Sequence, residues 1–152
     1  METKSKTNRL KMVTAGLVIG LVLASLEQTI VATALPTIVR RFGDLSLYSW
    51  VFSVYMLAST AAMPIYGKLA DLYGRKNIYL FGLLLFLTGS LLCGLAGSMP
   101  ALIGFRIVQG LGAGALMPLA FTIVADLYPA PQRAKLMGAF GGLFAVSSLL
   151  GP

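Results

Sequence analysis

The stretch GKLADLYGRK, residues 67–76, is the segment from which the fold can be worked out. It holds four charged side chains within ten residues, and a long apolar segment lies on each side of it. Gly67 and Gly74 have no side chain, so a connection that contains them can pack closely. A short, charged connection of this kind between two apolar segments predicts a tight turn at a membrane surface.

The composition of the whole chain also indicates a membrane protein. Of its 152 residues, 57% are hydrophobic and 11% are charged, whereas a soluble domain carries about 25% charged residues. The chain has no histidine, and its one cysteine, Cys93, lies in an apolar segment, so we expect no zinc site, no Cys/His catalytic set and no cofactor. The net charge of +7 does not indicate nucleic acid, because the basic residues lie between apolar segments and not in a stripe.

Five apolar segments follow a polar, basic segment at residues 1–11. Each complete one has about the 20 residues that cross a bilayer as a helix, and a helix satisfies its own backbone hydrogen bonds in lipid. The fifth stops without a flanking charge, so we expect the sequence to be part of a longer chain. The predicted fold class is all-α, a polytopic transmembrane helix bundle with spans at residues 12–39, 47–66, 78–97, 101–125 and 136–152.

The basic residues predict the orientation of this bundle. With the amino terminus in the cytoplasm, the inner segments hold nine Lys and Arg residues and the outer links hold only Arg40 and Arg41. Such a distribution follows the positive-inside rule. The alternative, a cleaved signal peptide, is disfavoured because the first apolar segment is longer than the roughly 7–15 residues of a signal sequence and contains an acid.

Small residues recur in the spans at a spacing typical of helix packing. Glycines four residues apart lie on one face of a helix and let a neighbouring backbone approach closely. Although glycine is common in membrane helices, three such pairs in three spans favour a compact bundle. The pairs are Gly16 and Gly20, Gly110 and Gly114, and Gly138 and Gly142.

Two ionisable residues, Glu27 and Arg106, fall inside predicted spans. A charge at the centre of a membrane helix costs at least about 2.5–3.5 kcal/mol, so such residues normally face the bundle interior and have a partner. We predict that Glu27 and Arg106 face each other in the outer half of the bundle and that Glu27 exchanges a proton. The alternative is a permanent ion pair that only sets the register of the helices.

Several motifs in order along the chain resemble the Major Facilitator Superfamily, and most closely its fourteen-helix drug:proton antiporter branch. Residues 67–76 match the family's loop between the second and third helices, and residues 102–113 match its fourth-helix motif. Residues 26–36 resemble the first-helix motif of the multidrug branch, with Glu27 in place of an Asp. Residues 147–152 resemble the start of the fifth-helix antiporter motif, with Ser147 in place of a Gly. The resemblance implies the first four helices and the start of the fifth of the amino-terminal domain.

The resemblance also implies roles for named residues. The loop is expected to act as a cytoplasmic latch against the carboxy-terminal half of the transporter, where Asp71 and Arg75 can pair if the turn is helical and Asp126 can join them. Alternatively, the charges only set the topology, which Lys68 and Lys76 are suited to do. The expected latch residues are Gly67, Asp71, Gly74, Arg75, Lys76 and Asp126, and the helix-packing and antiporter-motif residues are Gly110, Gly114, Gly151 and Pro152.

A few polar or flexible side chains in the spans are candidates for a substrate cavity. Polar contacts between helices and gap filling by methionine explain them equally well. The candidates are Gln28, Thr29, Tyr55, Gln109 and Met117.

The predicted function is proton-coupled export of lipophilic drugs, in a multi-pass plasma-membrane protein whose amino terminus is cytoplasmic. The expected partners are a lipophilic small molecule, protons, the lipid bilayer and the carboxy-terminal half of the same transporter. The alternatives are an importer or narrow-substrate metabolite exporter of the same family and, from another class, a small membrane scaffold protein. An enzyme is not expected, because the glycine-rich residues 110–114 follow no predicted strand and lie in a span, unlike a dinucleotide-binding loop.

Overall fold

The described part of the chain is built of five consecutive α-helices. The computed structural model describes the backbone of residues 2–43 and 45–150, and the side-chain surroundings of residues 12–43, 46–142 and 145–146. No strand occurs in these ranges, which confirms the predicted all-α fold. The helices are α1 (Glu2–Phe42), α2 (Tyr48–Tyr73), α3 (Arg75–Gly94), α4 (Met99–Leu127) and α5 (Ala130–Leu150), with a 3-10 turn at Leu45–Leu47 between the first two.

Three of the described helical segments are long and apolar enough to cross a membrane by length and composition. They are Met12–Phe42, Arg75–Gly94 and Met99–Leu127. α2 and α5, which hold two further predicted spans, have 26 and 21 residues but are not among the three.

Each helix includes residues outside the apolar segment that predicted it, and α3 ends at Gly94, before the predicted end of its span at residue 97. α1 already includes the basic residues near the amino terminus, and α2 continues to Tyr73. The predicted ten-residue turn at 67–76 is therefore wrong in its extent, because only Gly74 separates α2 from α3. Gly74 has φ = 91°, a conformation that glycine adopts without steric cost. Lys, Leu, Ala and Asp are compatible with a helix, so the charges show where α2 leaves the apolar layer and not where it ends.

α4 is the central helix of the bundle and packs against α1, α2, α3 and α5. Two of its glycines bring it onto the backbone of α2: a Cβ added to Gly110 would lie 2.6 Å from the carbonyl oxygen of Tyr55, and one on Gly114 would lie 2.5 Å from that of Ser59. On the α3 side, a Cβ on Gly89 would lie 2.6 Å from the Cα of Gln109. α4 thus lies between two helices at backbone contact.

The other predicted glycine pairs do not form such contacts with the described residues. A Cβ on Gly16, Gly138 or Gly142 would meet nothing within 4 Å, and Gly20 contacts the side chain of Tyr79, not a backbone. The four-residue spacing puts two glycines on one face of a helix, but it does not determine whether another helix covers that face.

Candidate functional site

A cluster of polar side chains lies in the interior of the bundle, and four helices contribute to it. Arg106 of α4 is 0% exposed and Glu27 of α1 is 9% exposed. Tyr55 of α2 and Gln109 of α4 are also buried, and Cys93 of α3 is half-buried. These five residues are called the buried cluster below.

Arg106 makes contacts in several directions within the buried cluster. Its Nη1 forms an ion pair with Oε1 of Glu27 and donates a hydrogen bond to Oε1 of Gln109 at 2.8 Å. Its Nε donates to the carbonyl oxygen of Val51 at 3.3 Å. The central guanidinium carbon lies 4.3 Å from the centre of the Tyr55 ring. The structure therefore brings Glu27 and Arg106 into contact, although they are 79 residues apart in sequence.

Each member of the ion pair keeps one polar atom without a hydrogen-bond partner among the described residues, namely Oε2 of Glu27 and Nη2 of Arg106. Both residues line a pocket of about 360 Å³ between α1, α3 and α4, together with Gln109 and Cys93. A buried polar atom without a partner is costly. The carboxyl group therefore has one oxygen bound to the guanidinium and one without a partner among the described residues.

A second charged group lies where α2, α3 and α4 meet, away from the buried cluster. It is called the inner-end cluster because the sequence predicts that this side faces the cytoplasm. Arg75, the first residue of α3, contacts Oδ2 of Asp126 on α4 at 2.5 Å and Oδ1 of Asp71 on α2 at 3.6 Å. The Arg75 side chain is 32% exposed, and both acids are more exposed still. The cluster joins the ends of three helices at a place that water reaches.

The remaining predicted latch residues do not contact this group in the same way. Lys76 is exposed and lines a separate apolar pocket of about 210 Å³ between α1 and α3, next to Met12 and Tyr79. Gly67 lies within α2, where an added Cβ would meet no described residue within 4 Å, and its predicted role in the latch stays a prediction. The predicted motif residues Gly151 and Pro152 lie outside the described residues.

The predicted cavity residues are distributed unevenly. Gln109 lines the pocket of the buried cluster, and the Tyr55 ring lies against Arg106. Gln28 is half-buried. The Thr29 hydroxyl donates to the carbonyl oxygen of Leu26 in its own helix, at 2.8 Å. Met117 is 38% exposed and is not part of the pocket lining.

Sequence reasoning missed two contacts in the buried cluster. The Sγ of Cys93 lies 3.7 Å from Oε1 of Gln109, and the Val51 carbonyl accepts from Arg106. The isolation of Cys93 in an apolar segment gave only a weak indication. A backbone carbonyl gives no indication at all, because every residue in the chain has one.

Comparison with known proteins gives consistent matches along this chain. The sequence profile of the Major Facilitator Superfamily matches residues 17–152. Multidrug resistance protein 3 of Bacillus subtilis (strain 168) is 51% identical over 150 residues, which cover 99% of this chain and 29% of that protein. Multidrug transporter protein MdtP of the same organism is 43% identical over 152 residues, or 100% of this chain and 28% of that protein.

A fungal relative extends the comparison. Efflux pump dotC of Dothistroma septosporum is 42% identical over 137 residues, which cover 90% of this chain and 23% of that protein. The chain therefore spans less than a third of the length of each of these three relatives.

Proposed function

This chain belongs to the Major Facilitator Superfamily, and we propose that it forms the amino-terminal part of a proton-coupled exporter of lipophilic compounds. The names of its relatives, which include multidrug resistance protein, multidrug transporter and efflux pump, support export over import. Because the chain spans 29% or less of these relatives, the second wall of the transport pathway would come from the rest of the polypeptide. The chain is a multi-pass membrane protein, for which we propose a plasma-membrane location, and the positive-inside distribution of its basic residues supports a cytoplasmic amino terminus.

The observation that carries this proposal is the ion pair in the buried cluster. Glu27 is a carboxyl group in an almost dry environment, bound through one oxygen to Arg106. Proton binding at the free Oε2 would make Glu27 neutral and weaken its attraction to Arg106. Since Glu27 is on α1 and Arg106 on α4, the charge state of one carboxyl group would change how two helices are held together. Such coupling between proton binding and helix contacts is what an antiporter requires.

The inner-end cluster supports the second part of the proposal, a latch. Arg75 connects α2, α3 and α4 through Asp71 and Asp126, on the side where most basic residues lie. Ion pairs that water reaches are weak, so they can break and re-form at low cost. We propose that this cluster, with Gly74 and Lys76, holds the inner side closed against the carboxy-terminal half and releases it during alternating access.

The test of the proposed function is dye efflux driven by an imposed pH gradient, measured on the full-length transporter in membrane vesicles. Glu27→Gln keeps the size and hydrogen-bonding capacity of the side chain but cannot exchange a proton. We expect it to lose the efflux that depends on the gradient while its membrane insertion and amount stay normal.

Glu27→Asp is the matched control for this test, because it retains a carboxyl group at the same position. We expect it to keep part of the efflux. If Glu27→Gln transported as well as the unmodified protein at every gradient, Glu27 would not be the proton carrier.

A further inference from the structure

The proton-carrier role of Glu27 does not explain how the charge of Arg106 is stabilised once Glu27 is protonated. The guanidinium group of an arginine remains protonated in proteins, and Arg106 is 0% exposed. When Glu27 takes up a proton, Arg106 therefore becomes a buried cation without a counter-ion. An unpaired buried charge is strongly destabilising, so other groups must hold it in that state.

Three uncharged groups are already in place around the guanidinium. The Val51 carbonyl accepts from Nε at 3.3 Å, and Oε1 of Gln109 accepts from Nη1 at 2.8 Å. The Tyr55 ring lies with its centre 4.3 Å from the central carbon. The Val51 carbonyl and the Tyr55 ring belong to α2 and not to the helix that carries Glu27. A cation over an aromatic ring is held most strongly where water is excluded, and Tyr55 is itself buried.

The packing of α2 on α4 fixes the distance between the ring and the guanidinium. Gly110, one turn after Arg106, lies against the backbone of Tyr55, where any Cβ would come within 2.6 Å of the carbonyl oxygen. Tyr55 lies on α2, which packs against α4 at Gly110, whereas Glu27 lies on α1. Loss of the ion pair would leave the contact between α2 and α4 intact.

The ring responds differently to the two charge states. While Glu27 is ionised, its charge and that of Arg106 nearly cancel. The attraction between the negative face of the Tyr55 ring and this ion pair is therefore small. Once Glu27 is neutral, the ring faces a lone cation and its attraction increases. The titratable or charged side chains that meet in the cluster are Glu27 from α1, Tyr55 from α2, Cys93 from α3 and Arg106 from α4.

We propose that Tyr55 is a positioning residue that holds the Arg106 cation while Glu27 is protonated. The effect of Tyr55 on transport rests on the proposed function, in which Glu27 is protonated during part of the transport cycle. Without the ring, the protonated state loses stabilisation relative to the ionised state, and a higher proton concentration is needed to reach it.

The first experiment measures the pH dependence of efflux by the full-length transporter. Tyr55→Leu should move the pH midpoint toward acid by about one pH unit, the size expected for a desolvated contact between a cation and an aromatic ring. Tyr55→Phe retains the ring and should restore the midpoint of the unmodified protein. Tyr66→Leu is the matched control, because Tyr66 is another buried ring on α2 and, within the described part of the chain, the arginine that lies over a ring lies over Tyr55. It should lower stability without moving the midpoint.

The second experiment does not depend on transport. The apparent melting temperature of the full-length protein in detergent is measured for Tyr55→Leu, for Glu27→Gln and for the double variant. Glu27→Gln imitates the protonated state. The decrease in melting temperature caused by Tyr55→Leu should therefore be larger in the Glu27→Gln variant than in the unmodified protein. If Tyr55→Leu does not insert, Tyr55→Met, which also removes the ring, takes its place.

The outcomes separate this inference from the proposed function. Efflux by Glu27→Gln that equals the unmodified protein overturns the proton-carrier role, whereas the melting cycle still tests Tyr55. The role of Tyr55 is overturned if the decreases in melting temperature caused by Tyr55→Leu and Glu27→Gln add up in the double variant and Tyr55→Leu has the same pH midpoint of efflux as Tyr66→Leu. The proposed function would still stand.

Discussion

Two arginines of this chain pair with carboxylates across helices, yet their surroundings differ. Arg106 is 0% exposed and contacts Glu27 in the interior, whereas Arg75 is 32% exposed and contacts Asp126 and Asp71 at the ends of helices. Where water is excluded, both the attraction within a pair and the cost of removing its ions from water are large. Where water and salt reach the pair, both terms are small.

The comparison shows how one kind of ion pair can serve two purposes. The buried pair cannot be broken cheaply unless a proton first neutralises Glu27, so its state can depend on protonation. The exposed pair can open without such an event. Arg75 also begins α3, where the helix dipole disfavours a positive charge, and Asp71 and Asp126 offset this.

The largest effect should be the difference in stability between two variants, each of which lacks one of these arginines. Arg106→Met leaves Glu27 buried without its partner and should lower the free energy of unfolding of the full-length protein by about 3–5 kcal/mol. Arg75→Met should cost about 1 kcal/mol or less. Chemical denaturation in detergent at pH 7 measures both, and the loss for Arg106→Met should decrease at acidic pH as Glu27 takes up a proton. Equal losses for the two variants would remove the distinction between the clusters.

A smaller effect should follow from pushing α2 away from the buried cluster. Gly110→Ala places a methyl group against the Tyr55 backbone and should cost about 1–3 kcal/mol through overpacking. Gly104→Ala, on the same helix, adds a methyl group that meets nothing within 4 Å and should be neutral or stabilise by up to about 1 kcal/mol. The melting temperatures of the two variants test this, and a Gly110→Ala protein as stable as Gly104→Ala would contradict the backbone contact.

The smallest effects should distinguish the two acids of the inner-end cluster. Asp126→Asn removes the contact at 2.5 Å and Asp71→Asn the one at 3.6 Å. We therefore expect Asp126→Asn to increase the accessibility of an inner-side cysteine probe more than Asp71→Asn does, with costs of about 1 kcal/mol or less. The changes in accessibility and in stability should become smaller at about 1 M salt, where the Debye length is about 3 Å. Unchanged accessibility and transport in both variants would argue against a latch.

The sequence predicted much of the fold and part of the buried cluster. Long apolar segments predicted an all-helical chain because a lipid environment leaves a single segment few other structures. Glu27 and Arg106 could be singled out because charged residues inside spans are rare and need partners. The ends of the helices could not be predicted as well, since the residues of 67–73 are compatible with both a helix and a surface turn.

The amino-acid sequence by itself determined which segments are apolar, which side holds the basic residues and which two ions have to be buried. Only the tertiary structure decided that α2 lies against α4 at Gly110 and Gly114, and so that the Tyr55 ring and the Val51 carbonyl reach Arg106. The physical reason is that composition and periodicity are properties of one helix, whereas the surroundings of a buried charge depend on how several helices cross.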